Sequence, residues 1–197
     1  MKSDLFFETC VREIDAANAN DPAKLDFEGA SYPLALIEGQ RAHAWLEQLR
    51  QDAPAPLRLA ARAHHLRRWE IPRDGYPRTR AGYLAWRTRL YDFHADALSQ
   101  IMRGAGYTAS EAARASAIMH KKQLRTDPDV QAYEDAVSLA FLEIRAADFA
   151  STVNREQLLR ALSRTWAKMS AAGHMAALSL DLDPAVRAAL DSALSGD

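Results

Sequence analysis

Alanine supplies about a fifth of this chain while Val, Ile and Thr are scarce, and that imbalance limits the fold more than any motif does. Alanine loses no side-chain freedom in a helix, whereas β-branched residues lose χ1 freedom against the preceding turn. Nearly every window therefore favours helix over strand. With 197 residues and 48% hydrophobic composition, the expectation is an all-α fold: a single compact bundle of about six or seven helices. One domain is expected over 1–197, with its core in 3–172 and a short C-terminal helix at 183–195.

Composition removes several classes. Lys and Arg total 25 against 26 Asp and Glu, a net charge of −1, which excludes a globally basic nucleic-acid coat protein and an acidic disordered tail. A lone Cys10 excludes a disulfide framework and a Cys-rich zinc module, so the expected compartment is the reducing cytoplasm. The opening MKSDLFFETCVREID is too regularly charged for a signal peptide. No window reaches about 18 uncharged apolar residues, so no membrane association is expected.

Apolar periodicity sets the helices. The first spans 3–19, with Ser3 as N-cap and Phe7, Val11 and Ile14 on one face, and Asn20, Asp21 and Pro22 stop it. A polar loop leads to Tyr32-Pro33. Leu34, Ile37, Arg41, Trp45 and Gln48 then share a stripe, which puts Arg41 in an apolar row. A third helix is expected over 57–70, and the two Pro and one Gly of IPRDGYPRT (71–79) demand an irregular loop. A long helix over 80–102 carries Tyr83, Trp86, Leu90, His94, Ala97 and Ile101 inward and ends at Gly104 and Gly106. The next, capped by Thr108 or Ser110, lines up Ala113, Ala117, His120 and Leu124. Thr126-Asp127-Pro128 opens another, Asn154 with Gln157 forms a capping box for a helix to 172, and Asp183-Pro184 opens the last.

Six histidines are the first chemical candidates, because imidazole is both the commonest metal ligand and the acid–base group of neutral pH. His43 lies off the apolar stripe and reads as solvated. His174 follows Gly173 near a helix end, where a cation is favourable. His64, His65, His94 and His120 come from three helices, and His94 and His120 point inward. A buried imidazole often makes only a plain hydrogen bond. Glu134-Asp135, however, sits in an otherwise apolar run, where two carboxylates must be compensated by a metal or by Arg. Histidines from two or three helices with a carboxylate from another are how a helical domain builds an open metal centre.

The charge is unevenly placed. Segment 58–89 holds nine Arg (58, 62, 67, 68, 73, 78, 80, 87 and 89) against Glu70 and Asp74, a local +7 that leaves −8 to the remainder. Guanidinium binds phosphate or carboxylate in a bidentate way, and Trp69, Tyr76, Tyr83 and Trp86 add stacking surfaces. The alternative is that these Arg pair with acids from neighbouring helices and solvate a face.

LAARAHHLRRWEIPR (59–73), YPRTRAGYLAWRTRL (76–90), the FHADA around His94, DPDVQAYEDAVSLAFLE (127–143) and TWAKMSAAGH (165–174) together resemble the uncharacterised family called domain of unknown function 4202. More distantly, the order of features is similar to the HD superfamily of helical metal-dependent phosphohydrolases, whose ligands are a His, a His-Asp pair and a later Asp. In that resemblance His64 and His65 stand at the pair, His94 and His120 at additional His positions, and Asp135 at the closing Asp. His65 replaces the Asp of the pair, and the first His falls near Arg41 or His43.

The resemblance implies a divalent metal (Zn, Mn, Mg or Fe) held by His65, His94, His120 and Asp135. Glu134 or His64 would be the acid–base partner, and Arg41, Arg68, Arg73, Tyr76, Arg80 and Arg87 would hold a small phosphorylated compound or nucleotide. The expected activity is thus metal-dependent phosphoester hydrolysis. The alternatives are a non-catalytic RNA- or nucleotide-binding module using the Arg/aromatic face, and an HD-type iron oxygenase. A homo-oligomer is compatible with each.

Overall fold

The computed structural model describes residues 2–195 and confirms a mostly helical architecture. Among the described residues ten α-helices occur: α1 (Lys2–Asn18), α2 (Leu34–Leu49), α3 (Ala55–Arg62), α4 (Arg80–Ala105), α5 (Ala109–Met119), α6 (Pro128–Ile144), α7 (Ala146–Thr152), α8 (Arg155–Trp166), α9 (Ala171–Ser179) and α10 (Pro184–Ser195). None is long and apolar enough to cross a membrane.

Side chains terminate these helices as their chemistry dictates. Thr79, not foreseen as a cap, accepts from Gly82 N, and Thr108, not Ser110, makes the capping box with Glu111. Asp127 accepts from the amides of Asp129 and Val130 ahead of Pro128 at the first position of α6. Asn154 and Gln157 form their capping box. Helix α1 already includes Ser3, whose side chain lies outside the described residues.

Two apolar clusters meet along α2 and α6. The first joins α1, α3, α4 and α5 through Ile14, Leu46, Leu57, Leu66, Leu98 and Ile118, all without accessible surface. The second joins α7, α8, α9 and α10 to Leu139 and Leu142 of α6. Each such burial contributes about 1.5–3 kcal/mol. Trp45 packs against both clusters, which ties them together.

Several expectations change. The polar stretch before Pro33 is a hairpin of β1 (Lys24–Phe27) and β2 (Ala30–Pro33), antiparallel with Leu25 opposite Tyr32. Glu28 and Gly29 both take positive φ, 49° and 79°, the primed turn that matches strand twist. Helix α3 stops at Arg62 rather than at residue 70, and short 3-10 turns follow at Arg68–Glu70 and Arg73–Gly75. Helix α2 buries more than one stripe, because it packs on α3 and α6 at once. Its Gln48 is exposed and its His43, expected in solvent, is buried between Arg58 O, Glu47 and the Phe7 ring. Tyr83 is 43% exposed, so it does not belong to the inner face of α4, which carries Gly82, Trp86 and Leu90. Helix α5 buries Ala112, Ala115, Ile118 and Met119 instead of the Ala113–Ala117 row, and ends before His120. The helix after Asn154 ends at Trp166, and α9 begins anew at Ala171 behind its Ser170 cap.

Candidate functional site

The densest polar cluster forms where α2, the turn after α3 and α4 meet. Gly39 makes the approach feasible: a Cβ there would lie 2.3 Å from Arg62 O, so only glycine lets α2 come this close to the end of α3. Its neighbour Glu38 is thereby carried, 6% exposed, to the residues that follow α3. Those residues, 63–67, form a run of turns that ends with Arg67 in the left-handed conformation (φ 56°). Asn18 holds the turn by accepting from Arg67 N at 3.0 Å while donating to Ala35 O at 3.2 Å. From α4, His94 Nδ1 donates to Leu66 O at 2.7 Å.

This frame displays three imidazoles. His64 and His65 rings lie 4.1 Å apart, and His65 and His94 rings 6.1 Å apart. His65 Nδ1 contacts Glu38 Oε2 at 2.5 Å, and Arg145 Nη1 donates to Glu38 Oε1 at 3.0 Å. Glu38, His64 and His65 each offer a ligand atom within 4.8 Å of the others, a grouping that could hold a cation. Burial drives the His64 and His65 pKa well below the ordinary 6.5, reinforced by the neighbouring charge of His65 and Arg68 respectively. Burial likewise brings His94 to about 4, against the opposing pull of the Leu66 carbonyl. All three rings are therefore neutral at pH 7, the form that ligates metals. His94 Nε2 is buried without a hydrogen-bond partner.

Guanidinium groups surround the imidazoles. Arg68 Nη1 lies 3.5 Å from His65 Nε2, and its Cζ sits 5.0 Å over the Trp86 ring. Arg87 donates to Tyr91 Oη and, at 3.5 Å, to Tyr83 Oη. Neither Arg68 nor Arg87 pairs with a carboxylate among the described residues. Burial lowers the Arg68 pKa; Glu38 opposes that fall, and the charges of Arg87 and Arg145 add to it. The site thus carries positive charge that its own carboxylate does not cancel.

Of the expected site residues, His64, His65, His94, Arg68 and Arg87 come together here, and the others are engaged elsewhere. Glu134 has no accessible surface and is gripped by Lys121 and, at 2.5 Å, by Lys168. Burial opposes its charge, the two ammonium groups outweigh that, and its carboxyl falls below the ordinary range. Asp135 accepts from Ser170 N at 2.8 Å, Ser170 Oγ at 2.5 Å and Gln131 Nε2 at 3.1 Å, so it brackets the start of α9 and does not face the histidines. His120 spends Nδ1 on Ser116 O and Nε2 on Asp92. Arg41 is bidentate to Glu143, at 2.8 and 2.7 Å, which cancels its charge. Arg73 holds its own loop through Tyr76 O and Pro77 O, Tyr76 is half-buried there, and Arg80 is exposed. His174, read as a helix-end cation, lies within α9 and stacks on Trp166 at 3.8 Å. Arg58, Arg62 and Arg67 pair with Glu47, Asp15 and Glu70, so part of the basic segment is self-neutralised.

Glu38 and Arg145 went unnoticed in the sequence. Glu38 follows Leu36 and Ile37 in an apolar turn, the same signal that drew attention to Glu134 and Asp135.

Fold and site together define a mostly helical protein with a histidine–carboxylate cluster flanked by uncancelled guanidinium charge. Residues 8–190 match the family described as Domain of unknown function (DUF4202), and the chain belongs to that family. No curated protein matches the chain, and no solved structure matches it.

Proposed function

We propose that the chain binds a small phosphorylated compound and hydrolyses its phosphoester with a divalent cation held at the histidine cluster. The observation that carries this reading is Arg68, which lies 3.5 Å from the His65 ring of the His65–Glu38 pair and, like the nearby Arg87, has no carboxylate partner among the described residues. The fields of both guanidinium groups reach the His65 ring, so an anion there would meet donors and ligating nitrogens together. A divalent cation held by the group of Glu38, His64 and His65 would lower the pKa of a bound water and polarise a phosphoryl oxygen. Arg68 and Arg87 would hold the non-bridging oxygens and offset the charge that grows as the water oxygen bonds to phosphorus and the ester oxygen leaves with a proton. The distant similarity to the HD superfamily supports this chemistry, although its closing carboxylate does not transfer to Asp135. Buried Cys10, a free thiol, fits a reducing cytoplasm.

The test is release of inorganic phosphate from a panel of phosphorylated metabolites and nucleotides with Mn²⁺, Zn²⁺ or Mg²⁺. Arg68→Gln and Arg87→Gln should each raise KM about 10- to 100-fold, as expected for loss of a charged hydrogen bond. No turnover on any member, with any metal, refutes the reading.

A second reading, non-catalytic RNA or nucleotide binding, is favoured by the exposed Tyr83 and Leu84 among exposed Arg78, Arg80 and Arg89. It requires affinity that falls steeply with salt and persists when the histidines are replaced.

A further inference from the structure

Arg68 Nη1 lies 3.5 Å from His65 Nε2, a contact too long for a strong hydrogen bond, on a ring that is only half-buried. Glu38 decides what that nitrogen can do. Its Oε1 accepts from Arg145 and its Oε2 meets His65 Nδ1 at 2.5 Å, so the carboxylate accepts from Nδ1 and Nε2 is left as a lone pair. Beside the uncancelled charge of Arg68 therefore stands an acceptor, and an anion that enters meets a donor and a lone pair together. Tetrahedral oxyanions differ in how they satisfy this pairing. Hydrogen phosphate has an oxygen to accept from Arg68 and a P–OH to donate to His65 Nε2, and neighbouring oxygens of one anion can serve atoms 3.5 Å apart. It replaces one stretched contact with two good ones. Sulfate has the same shape but no hydrogen at neutral pH, and it sets an oxygen lone pair against that of Nε2. Arg68, Arg87 and Arg145 stand around the His65 ring and disfavour a second proton on it, so the hydrogen has to come from the anion.

We propose that Arg68 and His65 form a donor–acceptor pair selective for a phosphoryl group that carries a P–OH, which admits hydrogen phosphate and phosphomonoesters and rejects sulfate and phosphodiesters. Glu38 sets the selectivity by fixing the His65 tautomer, and Arg145 holds Glu38 in place. A phosphodiester has no P–OH to give. A phosphomonoester has one in its singly charged form, which it loses with a pKa of about 6. Inorganic phosphate keeps a hydrogen above neutrality and is the cleaner probe. The inference rests on the phosphate reading of the function proposed above and narrows its substrate class to monoesters, and the pair needs no cation.

The experiment titrates the full-length chain, freed of metal by a chelator, with inorganic phosphate and with sulfate at about pH 8, where both are dianions, and reads calorimetry. The wild type should bind phosphate about 10- to 100-fold more tightly, as expected when sulfate leaves an acceptor unpaired. Glu38→Gln should keep its amide oxygen on Arg145 and turn its N–H toward His65 Nδ1. That reverses the tautomer and makes Nε2 a donor, so sulfate affinity should rise to match phosphate. His65→Gln, whose amide donates or accepts, should bind the two anions alike. Arg68→Gln should weaken both at least about tenfold. Circular dichroism checks that each variant is folded. Equal affinities in the wild type, or no phosphate binding, overturn the proposal. A preference for phosphate that persists in folded Glu38→Gln or His65→Gln overturns the role of the His65 tautomer. Co²⁺, a spectroscopic stand-in for the cation of the proposed function, is titrated separately, beside the phosphate-release panel. A chain that prefers phosphate but hydrolyses no monoester overturns the hydrolase reading and upholds this site, and turnover without the preference does the reverse.

Discussion

Glu134 and Asp135 are adjacent and both buried, yet the fold gives them different work. Glu134 accepts from Lys121 and Lys168, whose charges close the space between the turn after α5 and the end of α8. Glu134→Gln should lower stability by about 1–3 kcal/mol in denaturant melts and leave Co²⁺ affinity unchanged. Asp135 was expected to close a metal site, and with that role Asp135→Ala would have abolished metal content. Its actual partners, Ser170 and Gln131, make it an anchor for α9, so Asp135→Ala should cost about 1–3 kcal/mol while Co²⁺ still binds. Loss of Co²⁺ binding by a folded Asp135→Ala protein would restore the original assignment.

At the scale of elements, the crossing of α2 and α3 decides whether the site exists. Gly39 lies against the Arg62 carbonyl, and an added methyl must push two helices apart because the obstacle is backbone. Gly39→Ala should therefore destabilise the chain by about 1–3 kcal/mol. It should also weaken Co²⁺ binding, since Glu38 and the 63–67 turn move with the helices. The turn itself depends on Asn18. Asn18→Ala leaves Arg67 N without its partner and removes one donor from Ala35 O, and should reduce stability and Co²⁺ affinity together. Unchanged Co²⁺ affinity in both variants would show that the turn is held by other contacts.

For the whole molecule, paired carboxylates set the acid limit. Hydrogen bonds from Arg114 hold Asp127 at about 2, against an ordinary 3.8, with help from the Asp129 and Val130 amides and despite partial burial. Because the folded pKa is depressed, this contribution is complete above the unfolded value and is lost as pH falls through about 2. Glu134 shifts in the same direction. The urea midpoint should thus fall from pH about 4 downward, and Arg114→Met should flatten part of that fall. A midpoint independent of pH across this window would contradict the pairing.

How much of this was legible depends on range in the chain. Helix content, the caps at Asp127 and Asn154, and the inward position of His94 follow from propensity and from interactions within a few residues, which sequence displays directly. The hairpin was hidden because its four-residue strands gain their stability from packing of Leu25 on Ile37 and Ile144 rather than from β propensity. The turn after α3 was hidden because a contact that holds it, Asn18 accepting from Arg67 N, spans 49 residues. Charge shows the same division. The concentration of Arg over 58–89 is a property of the sequence alone. Tertiary structure decided which of those charges are cancelled, pairing Arg58 and Arg62 with distant acids and leaving Arg68 and Arg87 beside three histidines. An ion pair forms wherever the folded backbone brings opposite charges together, and spacing along the chain carries no record of it.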